Sequence, residues 1–205
     1  MLDEFLLKEL KDGNGWWANK YGIQVGLKSY DFMWVKNLTF QAEYNMVRPF
    51  TYSYYHKPTN ISTLQNYAHF NSPLAHPLGA NFNEIVLGLT YTKKRWVIEA
   101  MSTIAKIGLD TNSNSVGQDV YIPYNNRIDP VTGERIDYGY ETGGGLSTDI
   151  INSTLKISYL INAKSQMLLQ FGVTNRMYKN KYANDSNNMF FIGLRTAITN
   201  RYSDF

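Results

Sequence analysis

The 205 residues contain no cysteine, which excludes disulfides, thiolate metal sites and thiol catalysis. Charge is sparse: Asp, Glu, Lys and Arg make up 18% of the chain, and the net charge of +3 is spread without a basic cluster. No nucleic-acid partner is expected, because phosphate recognition concentrates Lys and Arg on one surface. No run of about 20 apolar residues is present, so no transmembrane helix is expected. The opening "MLDEFLLKEL" carries Asp3, Glu4 and Glu9 and no small-residue cleavage site, so it does not read as a signal peptide.

What the chain has in quantity is aromatic and small polar residues. Aromatics reach 15%, with 16 Tyr. That balance suits strands better than helices. Period-two alternation confirms the preference. In "LKISYLINAKSQMLLQFGV", Leu155, Ile157, Tyr159 and Ile161 alternate with Lys156, Ser158 and Leu160. Beyond "NAKS", Met167, Leu169, Phe171 and Val173 alternate with Leu168, Gln170 and Gly172. Two such runs around a short polar link make a hairpin.

The same reading gives about eight strands in one domain, 1–205. They cover roughly 1–9 (where a short helix is the alternative), 21–30, 38–46, 84–92, 95–108, 149–162, 166–178 and 190–202. Short links at 31–36, 93–95 and 162–165 alternate with long polar ones at 10–20, 51–83, 109–148 and 179–188. Unstructured loops of 30 or more residues are uncommon inside compact soluble domains. Outer-membrane barrels have this asymmetry as a rule, with short periplasmic turns and long extracellular loops.

The polar phase of the strands carries Lys28, Glu43, Glu99, Lys156, Arg176, Arg195 and Arg201, interspersed with Gly22, Gly26, Gly88, Gly172 and Gly193. Small and charged residues mixed on one face fit a crowded lumen in which charges pair. The apolar phase would then meet outer-membrane lipid. Trp16, Trp17, Tyr21, Trp34, Trp96, Tyr178 and Phe190 near strand ends would form the interfacial girdles. The expected fold is an all-β antiparallel transmembrane barrel. The alternative is a soluble β-barrel or sandwich that binds a small ligand. The terminal "RYSDF" ends on Phe205 just after a strand, as outer-membrane barrels commonly do, although Tyr202 and not Phe205 shares the apolar phase unless a bulge lies near Ser203.

One stretch carries more identity than the rest: residues 43–84, with the blocks "EYNMVRPFTYSYYHKPTN" and "PLAHPLGANF". Together with "LDEFLLKEL", "GNGWWANKYG", "KIGLDTN", "YLINAKSQMLLQFGV" and "GLRTAITNRYSDF", it resembles the C-terminal part of the RemB-like gliding-motility-associated outer-membrane proteins of Bacteroidetes, relatives of the Wzi-like capsule-assembly barrels. The resemblance implies a barrel of a dozen or more strands in the outer membrane. It also implies a non-enzymatic role in gliding motility, adhesion or surface polysaccharide handling, with other motility or secretion outer-membrane proteins as partners. The chain is short for that family, so upstream strands are expected to pair with residues near 1–9 and with the last strand.

Chemistry-bearing residues gather in the 51–83 loop. Tyr52, Tyr54, Tyr55 and His56 offer aromatic faces and hydroxyls of the kind that hold saccharides, with interface anchoring and loop packing as the main alternatives. His69 and His76 share the loop and join these residues as ligand-binding candidates, but their spacing matches no metal-ligand motif, so against metal binding they read as surface or structural histidines. "DTNSNSVGQD" (110–119) starts like a calcium loop, yet holds Ser115 at the sixth position and Tyr121 at the twelfth. "TGGGL" (142–146) reads as a flexible link rather than a phosphate loop. No Ser, His and Asp constellation stands out. Neither a catalytic residue nor a metal or other cofactor is expected.

Overall fold

A computed structural model describes residues 2–55, 66–69, 72–111 and 114–196. Strand β1 (Leu2–Glu4) and helix α1 (Leu7–Asp12) come first, followed by β2 (Lys20–Ser29) and β3 (Leu38–Val47). A two-residue hairpin, β4 (Ala68–His69) and β5 (Ser72–Pro73), interrupts the next link. Then come β6 (Phe82–Lys93), β7 (Trp96–Leu109), β8 (Leu146–Asn162), β9 (Met167–Lys179) and β10 (Asn184–Arg195). All but β4 and β5 form one antiparallel sheet of eight strands in the order β1-β2-β3-β6-β7-β8-β9-β10. The sheet is open: among the described residues β1 and β10 are edges and do not pair with each other.

The strand expected over 1–9 is cut to three residues, and the helical alternative takes over from Leu7. Its LKELKD sequence is made of good helix formers, and Gly13 closes it at φ 65° with its N–H donated to the Leu10 carbonyl. The strand expected over 190–202 begins earlier, at Asn184, so the supposed long link 179–188 is a four-residue turn, 180–183. Asn180 makes that turn: its Oδ1 accepts from the Tyr182 and Ala183 amides at 2.8 Å each. Residues 197–205, which carry Arg201, Tyr202 and Phe205, lie outside the described residues.

Connections now sort by end. Links 5–19, 48–81, 110–145 and 180–183 share one end of the sheet, and links 30–37, 94–95 and 163–166 share the other. The first is the loop end and the second the turn end.

The two faces differ in what covers them. Directly opposed residues in a ladder share a face. Ile85, Ile104 and Ile151 form one such row, and Tyr91, Ile98, Ile157, Phe171 and Ile192 another. This apolar face is bare: Val25 is 63% exposed, Leu155 45% and Ile192 74%. The opposite, polar-phase face is covered at the loop end. There its own residues turn apolar, and Val47, Phe82 and Ile107 are buried with Tyr52, Ala80 and Val120 from the loops. The main hydrophobic cluster therefore sits between the long loops and the polar-phase face.

Candidate functional site

The loop-end cap is built around Trp17. Its ring stacks on Tyr124 at 4.8 Å between centroids, meets Phe50 edge-on at 6.2 Å, and lies under the Arg127 guanidinium at 3.8 Å. Arg127 is almost fully buried, and it is held by donating Nε and Nη2 to Asp137 Oδ1 (3.1 and 2.7 Å) and Nη1 to the Tyr124 carbonyl (2.8 Å). Links 5–19, 48–81 and 110–145 are thereby pinned together through one indole. A second cation, Lys20, is completely buried at the start of β2. Its ammonium lies 4.5 Å from the Tyr124 centroid, 5.1 Å from Tyr54 and 5.2 Å from Trp17, and it donates to the Ser53 carbonyl at 3.4 Å. Buried cations over aromatic faces are better stabilised than exposed ones because no water competes.

Two ionisable groups of the cap are shifted by burial. Arg48 has its pKa lowered chiefly by desolvation; it donates to the Asn19 and Trp16 carbonyls at 3.3 and 3.2 Å. The Tyr140 phenol is pushed up to about 12, mainly by burial, with Arg127 opposing the rise and Asp137 and Asp110 adding to it.

The tyrosines singled out from the sequence are placed in this cap. Tyr52 belongs to the buried cluster and stands 5.6 Å from the Tyr67 ring. Tyr54 faces Lys20, and Tyr55 meets Tyr124 edge-on at 6.2 Å. Each thus meets a ring or cation of the protein itself. His56 lies outside the described residues. His69 is exposed on β4, whereas His76 is half-buried: it stacks on Phe82 at 4.4 Å and its Nε2 meets Glu84 Oε2 at 3.0 Å. Because His76 Nδ1 accepts the Leu78 amide at 3.2 Å, Nε2 carries the proton donated to Glu84 in the neutral ring. Among the described residues no three His, Asp or Glu side chains gather as metal ligands.

Glu84 opens a polar track along the covered face. Asn45 donates to Glu84 Oε2 and to Glu43 Oε1 at 2.9 Å each, and Gln24 donates to the same Glu43 oxygen at 2.8 Å. Next to the track lies a cavity of about 180 Å³ that reaches Gly22, Gln24, Asn45, Tyr52, His76 and Phe82. Further toward the turn end, Lys156 Nζ pairs with Glu99 Oε2 at 2.8 Å across the β7–β8 ladder. Lys28 lies over Tyr30 at 5.4 Å and Arg195 is exposed at the end of β10. Arg176 lines a second cavity, of about 390 Å³, with Glu84, Asn152, Asp185 and Asn187. Of the charged set expected on one face, the structure brings Glu99 and Lys156 together as a pair and ties Glu43 to amides. Arg201 is not among the described residues.

Two loop motifs become structural. The Asp110 carboxylate accepts from the Ser115 hydroxyl (3.3 Å), the Val116 amide and the Asp119 amide (2.8 Å), so it closes its own loop. The glycines of "TGGGL" form a close crossing over β7, since a Cβ at Gly108 would fall 1.7 Å from the Gly144 carbonyl oxygen. Asn81 clinches that crossing. Fully buried at φ 58°, it accepts from the Gly143 amide at 2.8 Å and donates to the Gly108 and Gly144 carbonyls at 2.9 and 3.1 Å. Sequence reasoning missed Asn81; the available signal was an Asn before a strand, a residue that tolerates the left-handed region.

The expected girdle also divides. Trp34 is 96% exposed at the turn end, and Trp96 and Phe190 are exposed on the bare face. Trp17 is instead the hub of the cap, and Tyr178 pairs with Ile150 on the covered face. No protein-family model, curated protein or solved structure matches the chain.

Proposed function

We propose that this chain forms a wall of an outer-membrane β-barrel and serves there without catalysis, presenting its loop end at the cell surface. The reading rests on one observation: the apolar belt on the bare face runs obliquely across the strands. The exposed apolar run on β2 centres on Val25, flanked by Ile23 and Leu27, and that on β10 centres on Ile192, flanked by Phe190 and Leu194. Following paired residues from Val25 gives Tyr44, Ile85, Ile104, Ile151, Met177 and finally Ser186. Ser186 is six residues short of Ile192, a drift of about one residue per strand. With a rise of ~3.3 Å per residue and a strand spacing of ~4.8 Å, a level slab of hydrocarbon meets such strands at a tilt of about 35°. Strands of transmembrane barrels tilt by about 35–45°.

The tight turns step the same way. Phe40, in the last pair of the β2–β3 hairpin, leads by its ladder to Leu89, four residues short of the turn at Lys93. Trp96 in turn pairs with Tyr159, three residues short of Asn162. The seven long strands have 10 to 17 residues, enough to cross at that tilt. A soluble sandwich would cover the apolar face, whereas among the described residues the buried loop cluster of Tyr52, Ala80 and Val120 lies on the other one. The finer assignment to gliding motility, adhesion or capsule-type polysaccharide handling follows the resemblance to RemB-like proteins carried by residues 43–84.

Refolding tests the membrane reading. The full chain is expected to fold only in detergent or lipid and to migrate differently on a gel with and without boiling. A compact monomer in plain buffer would refute it.

A further inference from the structure

We infer that the turn end of the sheet is a one-sided headgroup site, at which Lys36, Lys93, Lys94, Arg95 and Lys164 bind the anionic phospholipid of the adjoining leaflet. The inference rests on the membrane reading above and goes beyond it, because hydrocarbon asks nothing of headgroup charge.

The fold gathers charge that the sequence disperses. The three links of the turn end, with the last residue of β6, hold these five cations, and all five are exposed. The one acidic residue of those links is Asp31, whose Oδ1 is engaged in accepting the Asn37 amide at 2.6 Å. None of the five side chains meets a carboxylate among the described residues. Five cations less one carboxylate give +4 at this end, and the whole chain carries only +3. The other end differs: Lys106 pairs with Asp149 at 3.8 Å, and links 5–19 and 110–145 mix acids with bases.

Depth says what these cations meet. The drift of about one residue per strand puts the middle of the apolar belt at Glu43 on β3, Leu87 on β6, Met101 on β7 and Leu155 on β8. Lys93 stands six residues beyond Leu87. At ~3.3 Å per residue and a tilt of about 35°, six residues climb about 16 Å, just past the half-thickness of a ~30 Å hydrocarbon core. Lys94 and Arg95 follow in the turn. Lys36 and Lys164 lie in links beyond Leu38 and Asn162, which are five and seven residues from the middle. Trp96 is five residues from Met101, and its indole, 4.9 Å from the Tyr159 ring, lies on the hydrocarbon side of that boundary. Rings inside and cations outside repeat the layering of an anionic amphiphile.

Spacing favours a lipid surface over a compact anion. Successive turn links are two strands apart, about 10 Å at ~4.8 Å per strand, so no single phosphate reaches all three, whereas a leaflet offers a headgroup to each. An acidic protein would answer the cations but not the rings between them and the belt. The first link adds an anchor. Asp31, Met33 and Trp34 hold φ of 50°, 52° and 61°, a region that bulky side chains avoid, and Trp34 is 96% exposed two residues from Lys36. A ring held outward against backbone preference suits a surface into which it can dip.

Lipid selectivity of the inserted chain tests this. The full chain is refolded into phosphatidylcholine vesicles, and the association of spin-labelled phosphatidylglycerol is compared with that of spin-labelled phosphatidylcholine. A cation near an anionic surface favours it about fivefold, so a preference of about twofold or more is expected over the whole perimeter. Added salt should shrink it. The triple variant Lys93→Gln, Lys94→Gln, Arg95→Gln changes only exposed residues and is expected to lose most of that preference, whereas Lys106→Gln at the other rim should keep it. Equal association of the two lipids, or a preference that the triple variant retains, overturns the inference. So does loss of the preference to inorganic phosphate at an ionic strength where chloride leaves it, which would mark a site for a single anion. Displacement by polyglutamate would mark an acidic protein partner and overturn it as well. Failure of the membrane reading looks different, because neither labelled lipid would then be immobilised by the chain.

Discussion

The two faces of this sheet put apolar side chains to opposite uses. On the covered face, Val47, Phe82 and Ile107 are buried at the loop end against Tyr52 and Val120, and further along Gln24, Glu43, Asn45, Glu99 and Lys156 mix with scattered apolar residues such as Val86 and Phe191. On the bare face, apolar residues run the length of the strands and meet mainly one another, with Phe5 against Tyr21 at the loop end and Phe32 against Phe40 at the turn end. The first pattern is a core, in which burial by neighbouring protein sets the energy. The second has energy only through its solvent. The same residue type should therefore respond differently to substitution on the two faces.

The largest effect is expected at Phe82, which is fully buried under His76. Phe82→Ala removes a ring from a site that cannot collapse and should cost about 3–5 kcal/mol, read as a shift of the urea midpoint of detergent-folded protein. A loss under about 1 kcal/mol would mean that the loops do not close on the covered face.

Leu169 on the bare face comes next. Leu169→Arg should cost about 2–4 kcal/mol if the position lies near the bilayer midplane, seen as reduced insertion into lipid vesicles. Unchanged insertion would reverse the assignment of the two faces. The Glu99–Lys156 pair is smaller again. Both side chains are partly exposed, at 37% and 21%, so Lys156→Met should cost about 1–2 kcal/mol, between the values for surface and buried pairs. Adding Glu99→Gln should recover part of that loss, and a strictly additive double mutant would show that the two side chains do not interact.

Much of this contrast was legible in the residues. Alternation located the strands from Tyr21 to Lys179 to within a few positions, because a sheet with one apolar face writes its period directly into the chain. It failed where the local signal was weak or competing. At 184–189, "NDSNNM" is too polar to read as strand, yet Asn184 and Ser186 are paired with Lys179 and Met177. At 5–12, helix propensity outweighed an irregular apolar pattern. The charged ladder was half legible: Glu99 and Lys156 share a phase, but only register makes them neighbours. The cap was not legible, since Trp17 comes from link 5–19, Lys20 from the start of β2, and Tyr124, Arg127 and Asp137 from link 110–145, and they meet only in three dimensions. The choice between saccharide contact and loop packing at Tyr52, Tyr54 and Tyr55 was open for the same reason, and in the structure they meet Tyr67, Lys20 and Tyr124.

The smallest expected effect at neutral pH is in the cap, and it grows in alkali. Tyr140 donates its phenolic proton to the Ile136 carbonyl at 3.3 Å and meets Phe50 edge-on at 4.9 Å. Tyr140→Phe keeps the ring and removes one long hydrogen bond, a loss of about 1 kcal/mol or less. The native phenol titrates near 12 in the fold against a reference of 10.0. The folded state therefore holds its proton more tightly than the unfolded chain does. Stability from this group is fully present below pH 10 and falls as pH rises toward 12. Native protein should lose loop-end protection over that interval, and Tyr140→Phe should lose less of it. Parallel alkaline profiles for the two proteins would mean that the phenol is not the group that loosens the cap, and would direct attention to Arg48, whose pKa burial lowers.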